Sequence, residues 1–172
     1  MPPHCDSMDG PVVTAARRAL EAGNVDLVLP FVPKVGESEV RAAFTKTFRA
    51  AKIGAEARDV AELYFFETVV RIHRAGEGAA FTGLKPAGLD VGPAVTAAEA
   101  ALESGSPDAL VKLLCDTVET QVRHRFTEVT ERKVRAGKGV DEARDYVDRM
   151  LGFEVYSNRI FECVNSGIEH AH

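Results

Sequence analysis

Three side chains that bind transition metals stand side by side near the start of this chain: His4, Cys5 and Asp6. Imidazole nitrogen and thiolate sulfur together favour Cu, Ni, Zn or Fe over Mg and Ca, which prefer oxygen. Consecutive residues of a helix or strand cannot all face one ion, but a turn can gather two. Such a site therefore draws on ligands from elsewhere in the chain. His73 is the strongest supplier, because helical spacing places it at the end of an apolar stripe formed by Val60, Leu63, Phe66 and Val70. An imidazole that points inward needs a partner. Glu67 flanks the same stripe. Six residues put it about 9 Å from His73 along a helix axis and about 120° around it, so these two alone cannot clamp an ion. Glu67 has ionic alternatives in Arg71 and Arg149.

The leading reading is a transition-metal site with His4, Cys5, Asp6, His73 and Glu67 as candidate ligands. Cys5 and Lys85 are its candidate catalytic groups, Lys85 as a cation that could hold an anionic substrate. An open coordination position there would support redox or hydrolytic chemistry. Two rivals stay open. One is a non-enzymatic helical protein that binds a small molecule or partner between its two halves. The other is a metal-free reactive thiol, with Cys5 activated by His4 or by the N-terminus of the helix that begins at Pro11.

The elements that must position these groups are legible because the chain repeats itself. Gly10-Pro11-Val12-Val13-Thr14-Ala15-Ala16 returns 82 residues later as Gly92-Pro93-Ala94-Val95-Thr96-Ala97-Ala98, and about 19 of the 64 positions from 10 to 73 match at that offset. Pro11 and Pro93 suit the first helical position, and Gly23 and Gly105 suit the left-handed cap that ends a helix. A second helical stripe follows in each copy, Val40-Phe44-Phe48 and Val122-Phe126-Val129. Pro30 and Pro33 break the first copy ahead of it, whereas the second copy is expected to run unbroken from 107 to about 135. Further helices are expected over 55–75 and 141–156, with a last short one near 158–166. No window alternates with strand period for long.

The expectation is an all-α bundle built from two copies, about 10–74 and 92–156, packed about a pseudo-twofold axis as one domain spanning 1–172. The linker 76–91 joins the copies and 157–172 lies outside them. Residues that differ between copies escape the shared structural constraint, and His4-Cys5-Asp6, His73 (Val155 in the second copy) and Glu67 (Arg149) are such residues. Cys115 and Cys163 fall in helical patterns and are expected to be buried, whereas His124, between Arg123 and Arg125, is expected to face solvent.

A net charge of −5 argues against a nucleic-acid surface. No apolar run is long enough for a membrane span, and the first residues lack the basic start and apolar core of a secretory signal. Three cysteines at irregular spacing make no disulfide framework, so a cytoplasmic protein, with a homo-oligomer as one possible state, is the expectation. Met1-Pro2-Pro3-His4-Cys5-Asp6, Phe65-Phe66-Glu67-Thr68, Arg71-Ile72-His73-Arg74 and Thr82-Gly83-Leu84-Lys85-Pro86-Ala87-Gly88-Leu89-Asp90 together resemble a family of small prokaryotic proteins of unknown function. The resemblance covers nearly the whole chain and implies a histidine in relatives near the place of Val155. A fainter likeness, limited to His-Cys-Asp, is to the start of nickel superoxide dismutase, which implies a metal preference and nothing more.

Overall fold

Pro11 opens the first helix, α1 (Pro11–Ala22), and Gly23 closes it in the left-handed conformation at φ 64°. The computed structural model describes residues 4–167, and every element among them is helical apart from one isolated bridge. Val12, Val13, Ala16 and Ala19 of α1 are buried. Three short 3-10 turns follow, Val25–Leu27, Leu29–Phe31 and Lys34–Gly36. The prolines at 30 and 33 make them, because each removes a backbone donor that a continuous helix would need. The chain then turns into α2 (Glu37–Ala50) and α3 (Ala55–Gly76).

α3 packs against both α1 and α2, so its buried face is wide. It takes in Phe65, Phe66, Val69, Val70 and Ile72. Fully burying side chains of this size is worth about 1.5–3 kcal/mol each. Val60 and Leu63, expected on the inward stripe, are exposed. The covered face is set by the two neighbouring helices rather than by one line of 100° steps. Phe44 meets Phe65 edge-on with ring centroids 5.7 Å apart, and Thr47 Oγ1 donates to the Ala61 carbonyl at 3.1 Å. At the far end of α3, a Cβ on Gly36 would collide with Ile72 Cγ2, and one on Gly76 would meet the Pro33 ring at 3.0 Å. Small residues thus let the 3-10 turns lie directly on the last turns of α3.

The chain forms two compact units that meet at the Val91–Gly92 bond. The second contains α4 (Pro93–Ser104), α5 (Asp108–Arg135) and α6 (Val140–Asn165). α4 repeats the punctuation of α1, with Pro93 at its start and left-handed Gly105 after its end. α5 runs unbroken for 28 residues, as the missing prolines predict. α6 is likewise continuous, so the separate short helix expected near 158–166 does not exist. Nothing between 156 and 158 (Tyr, Ser, Asn) is a strong enough breaker to end a helix already in progress. α5 and α6 pair antiparallel through Arg132–Asp145 at 3.2 Å, Phe126–Phe153 with centroids 6.1 Å apart, and Arg125 stacked 3.9 Å above the Tyr156 ring. No residue of α4, α5 or α6 is fully buried. Cys115 and Cys163, expected inside, are therefore exposed, because this unit has no enclosed core to hold them. His124 is exposed as expected. No described helix is long and apolar enough to cross a membrane. The C-terminal tail beyond 167 and Met1–Pro3 lie outside the described residues.

Candidate metal centre

The last turn of α3 carries the first two groups. α3 continues to Gly76, and the Glu77 N–H closes it on the His73 and Arg74 carbonyls at 3.2 and 3.1 Å. His73 and Glu77 are thus four residues apart and share a face. His73 Nδ1 lies 2.7 Å from the Phe31 carbonyl, in the 3-10 turn made by Pro30. A carbonyl only accepts, so the ring proton sits on Nδ1 and the Nε2 lone pair points away from the carbonyl. Nε2 is buried, has no hydrogen-bond partner, and stands 3.4 Å from Glu77 Oε1. An imidazole oriented by a carbonyl behind it is the usual preparation of a metal ligand.

The third group arrives from the start of the chain. Residues 4–10 form tight turns in which the His4 carbonyl accepts from Ser7 N at 3.0 Å and Ser7 Oγ at 2.9 Å, and Ser7 O accepts from Gly10 N at 2.9 Å. Two backbone bonds tie this segment to the linker, Lys85 N to Asp6 O at 2.8 Å and Met8 N to Lys85 O at 3.0 Å. A third bond runs from Gly88 N to Asp9 Oδ2 at 2.6 Å. The result buries Cys5 against the end of α3. One ligand atom each from Cys5, His73 and Glu77 fall within 4.8 Å of one another.

A buried arginine sits beside them. Arg74 Nη2 is 3.2 Å from Asp6 Oδ1, and Nη1 is 3.2 Å from Glu77 Oε2. One guanidinium thereby holds two carboxylates, leaving the other Glu77 oxygen toward His73. Burial raises the Cys5 thiol above its ordinary value of 9.0, and the Glu77 charge raises it further, against a smaller opposing pull from Arg74. A thiol in that setting stays protonated at neutral pH, which disfavours a metal-free thiolate nucleophile.

Of the residues singled out from sequence, Cys5 and His73 come together. His4 is buried in the same turn but falls outside the three-residue group, and Asp6 lies on Arg74. Glu67 is exposed on α3, away from this cluster. Lys85 contributes its backbone to the bridge, and its Nζ donates to the Thr82 carbonyl at 3.3 Å. The carboxylate within reach is Glu77, and the orienting carbonyl is that of Phe31. The signal for Glu77 was its i+4 spacing from His73, obscured because Gly76 and Gly78 make the stretch read as linker.

No curated protein and no solved structure matches the sequence. The model of one protein family does match, over residues 9–156, which is most of the chain. The helical architecture just described is accordingly that of a member of a family of unknown function, DUF6448, to which this chain belongs.

Proposed function

We propose that the chain binds one divalent transition-metal ion through Cys5 Sγ, His73 Nε2 and a Glu77 carboxylate oxygen, with a fourth position left for water or substrate. The observation that carries this reading is the oriented, buried His73 Nε2, 3.4 Å from Glu77 Oε1, on a residue that offers a ligand atom within 4.8 Å of those of Cys5 and Glu77. Around a tetrahedral ion with the usual Zn–S and Zn–N bond lengths, the ligand atoms would stand about 3.5 Å apart. Closing from the present spacing takes side-chain rotations of about 1 Å, within the reach of Cys and Glu rotamers.

Charge supports the same conclusion. A Cys5 thiolate with the Asp6 and Glu77 carboxylates makes three negative charges, and Arg74 with a divalent ion makes three positive. A buried cluster of this kind needs such neutrality. A mixed sulfur, nitrogen and oxygen set suits Zn, Ni, Cu or Fe rather than Mg or Ca. Three protein ligands and an open position are the arrangement of catalytic rather than structural zinc. The chemistry that fits is activation of a bound water for hydrolysis, or electron transfer where the ion is redox-active.

The test is titration of chelator-treated, tag-free protein with Co2+, followed through the near-ultraviolet thiolate-to-metal band. One equivalent should bind with that band present. Cys5→Ser should abolish it, His73→Ala and Glu77→Gln should weaken binding at least tenfold, and Glu67→Gln should leave it unchanged. Absence of the band in the intact protein, or an unchanged affinity in His73→Ala, would overturn the assignment.

A further inference from the structure

The second unit exposes apolar side chains at three places where its sequence twin carries a half-buried leucine and two exposed cations. In the first unit, the groove where α1, α2 and α3 meet is lined by Leu20 of α1, Lys52 just beyond α2, and Arg58 of α3. Counted 82 residues on, these places hold Leu102 of α4, Val134 of α5 and Val140 of α6. All three are apolar, and they are 85%, 82% and 67% exposed. Soluble proteins rarely leave large apolar groups open in such concentration unless something covers them.

α4 is the counterpart of α1 and should close against α6, and it is held away from it. In the first unit α1 packs along α3, but in the second α4 rests on α5 and not along α6. The reason lies between the helices. The first copy reverses direction through three 3-10 turns at Pro30, Pro33 and Gly36. The corresponding positions are Lys112, Cys115 and Val118, all inside α5. Lys112 even pairs with Asp116 at 2.7 Å across the place of the break. A 28-residue helix is about 42 Å long and stiff, so α4 cannot fold back onto its own α6.

We infer that α4 is exchanged between two copies of this chain, each α4 lying in the α5–α6 groove of the other. Charge complements the apolar match: Glu99 and Glu103 of α4 carry the opposite sign to Lys133 of α5 and Arg144 of α6, which lie one and four residues from Val134 and Val140. Replacing a reversing hinge by a continuous helix is an economical route to such a dimer, because the contacts are those the closed unit would make.

Light scattering on the full chain should give twice 18.6 kDa, falling to a single chain mass in Leu102→Asp. That substitution sits on an exposed side chain and leaves a monomer's folding untouched. A chain carrying Leu102→Cys and Val140→Cys, with Cys115→Ser and Cys163→Ser, should be joined by a short bismaleimide into a covalent dimer on a denaturing gel. A monomer in light scattering, a dimer indifferent to Leu102→Asp, or an internally bridged single chain in the cross-linking would each overturn the inference.

Discussion

Gly10 fixes the turn that delivers Cys5, and replacing it with alanine isolates that role. Its backbone, φ −71° and ψ 166°, is open to any residue, so glycine is needed there for space alone. A Cβ would collide with the His4 carbonyl oxygen and stand 2.9 Å from Ser7 Oγ. That carbonyl accepts two hydrogen bonds from Ser7, and a third bond joins Gly10 N to Ser7 O. Each buried bond is worth about 1 kcal/mol net, so losing all three costs about 3 kcal/mol. For a unit of this size, that lowers the midpoint of thermal unfolding by about 12–24 °C. Gly152→Ala supplies the contrast. An added Cβ there meets nothing within 4 Å, and the position lies inside α6, so alanine should stabilise by about 0.5–1 kcal/mol. Thermal and urea unfolding followed by circular dichroism measure both, and the Co2+ titration should show at least a tenfold weaker site in Gly10→Ala. A Gly10→Ala protein that melts within about 2 °C of the parent, a fraction of the shift expected, and binds Co2+ equally well would refute the reasoning.

Other expectations follow from the same contacts. Arg74→Met leaves the Asp6 and Glu77 carboxylates buried without their shared cation and should cost about 3–5 kcal/mol; added Zn2+ should restore part of that in urea unfolding, because it replaces the missing positive charge. Iodoacetamide should modify exposed Cys115 and Cys163 well before Cys5, whose thiol is buried and held above its ordinary range, as peptide mass spectrometry of timed samples would show. The Asp9 carboxyl is held below its ordinary 3.8, chiefly by the Gly88 N–H and then by Ser7. Its contribution is therefore full above that value and is lost as pH falls through the lower folded value, so Asp9→Asn should lower stability at neutral pH, flatten the acid limb below about pH 4 and converge with the parent in strong acid.

Much of the fold was legible because helix punctuation is local. Proline at the first position and glycine after the last mark α1 and α4 whatever surrounds them, and the missing prolines lengthen α5 in advance. The inward direction of α3 was not legible: periodicity gives a stripe but not its width, and two covering helices moved the buried set from Val60 and Leu63 to Phe65, Phe66, Val69 and Ile72. The candidate site was half legible. Cys5 and His73 declared themselves by residue type against the apolar Ala87 and Val155 found 82 residues on. Glu77 did not, because glycines on both sides suggested that the helix had ended, and the Phe31 carbonyl is a backbone group that no side-chain pattern announces.

The chain segments that meet at the centre make one further consequence unavoidable. The proposed ligands span from Cys5 to Glu77, and the N-terminal segment that carries Cys5 is tied down by the Asp6–Arg74 ion pair and by bonds to the linker at Lys85 and Gly88. Any opening that frees this segment must break the Cys5–metal bond when an ion is present. Metal binding should therefore raise the free energy of that local opening by the full binding linkage, about 2.7 kcal/mol at a free metal concentration one hundred times Kd. Amide exchange at Met8 N and Lys85 N, which open with the segment, should slow by about one hundredfold, whereas amides in the middle of α5 should not respond. Exchange at Met8 and Lys85 that is unchanged by saturating Zn2+ would mean that the ion, if bound, does not use Cys5. Slowing confined to these two and their neighbours would trace the coupling from the sulfur through the Asp6–Lys85–Met8 bonds to the linker.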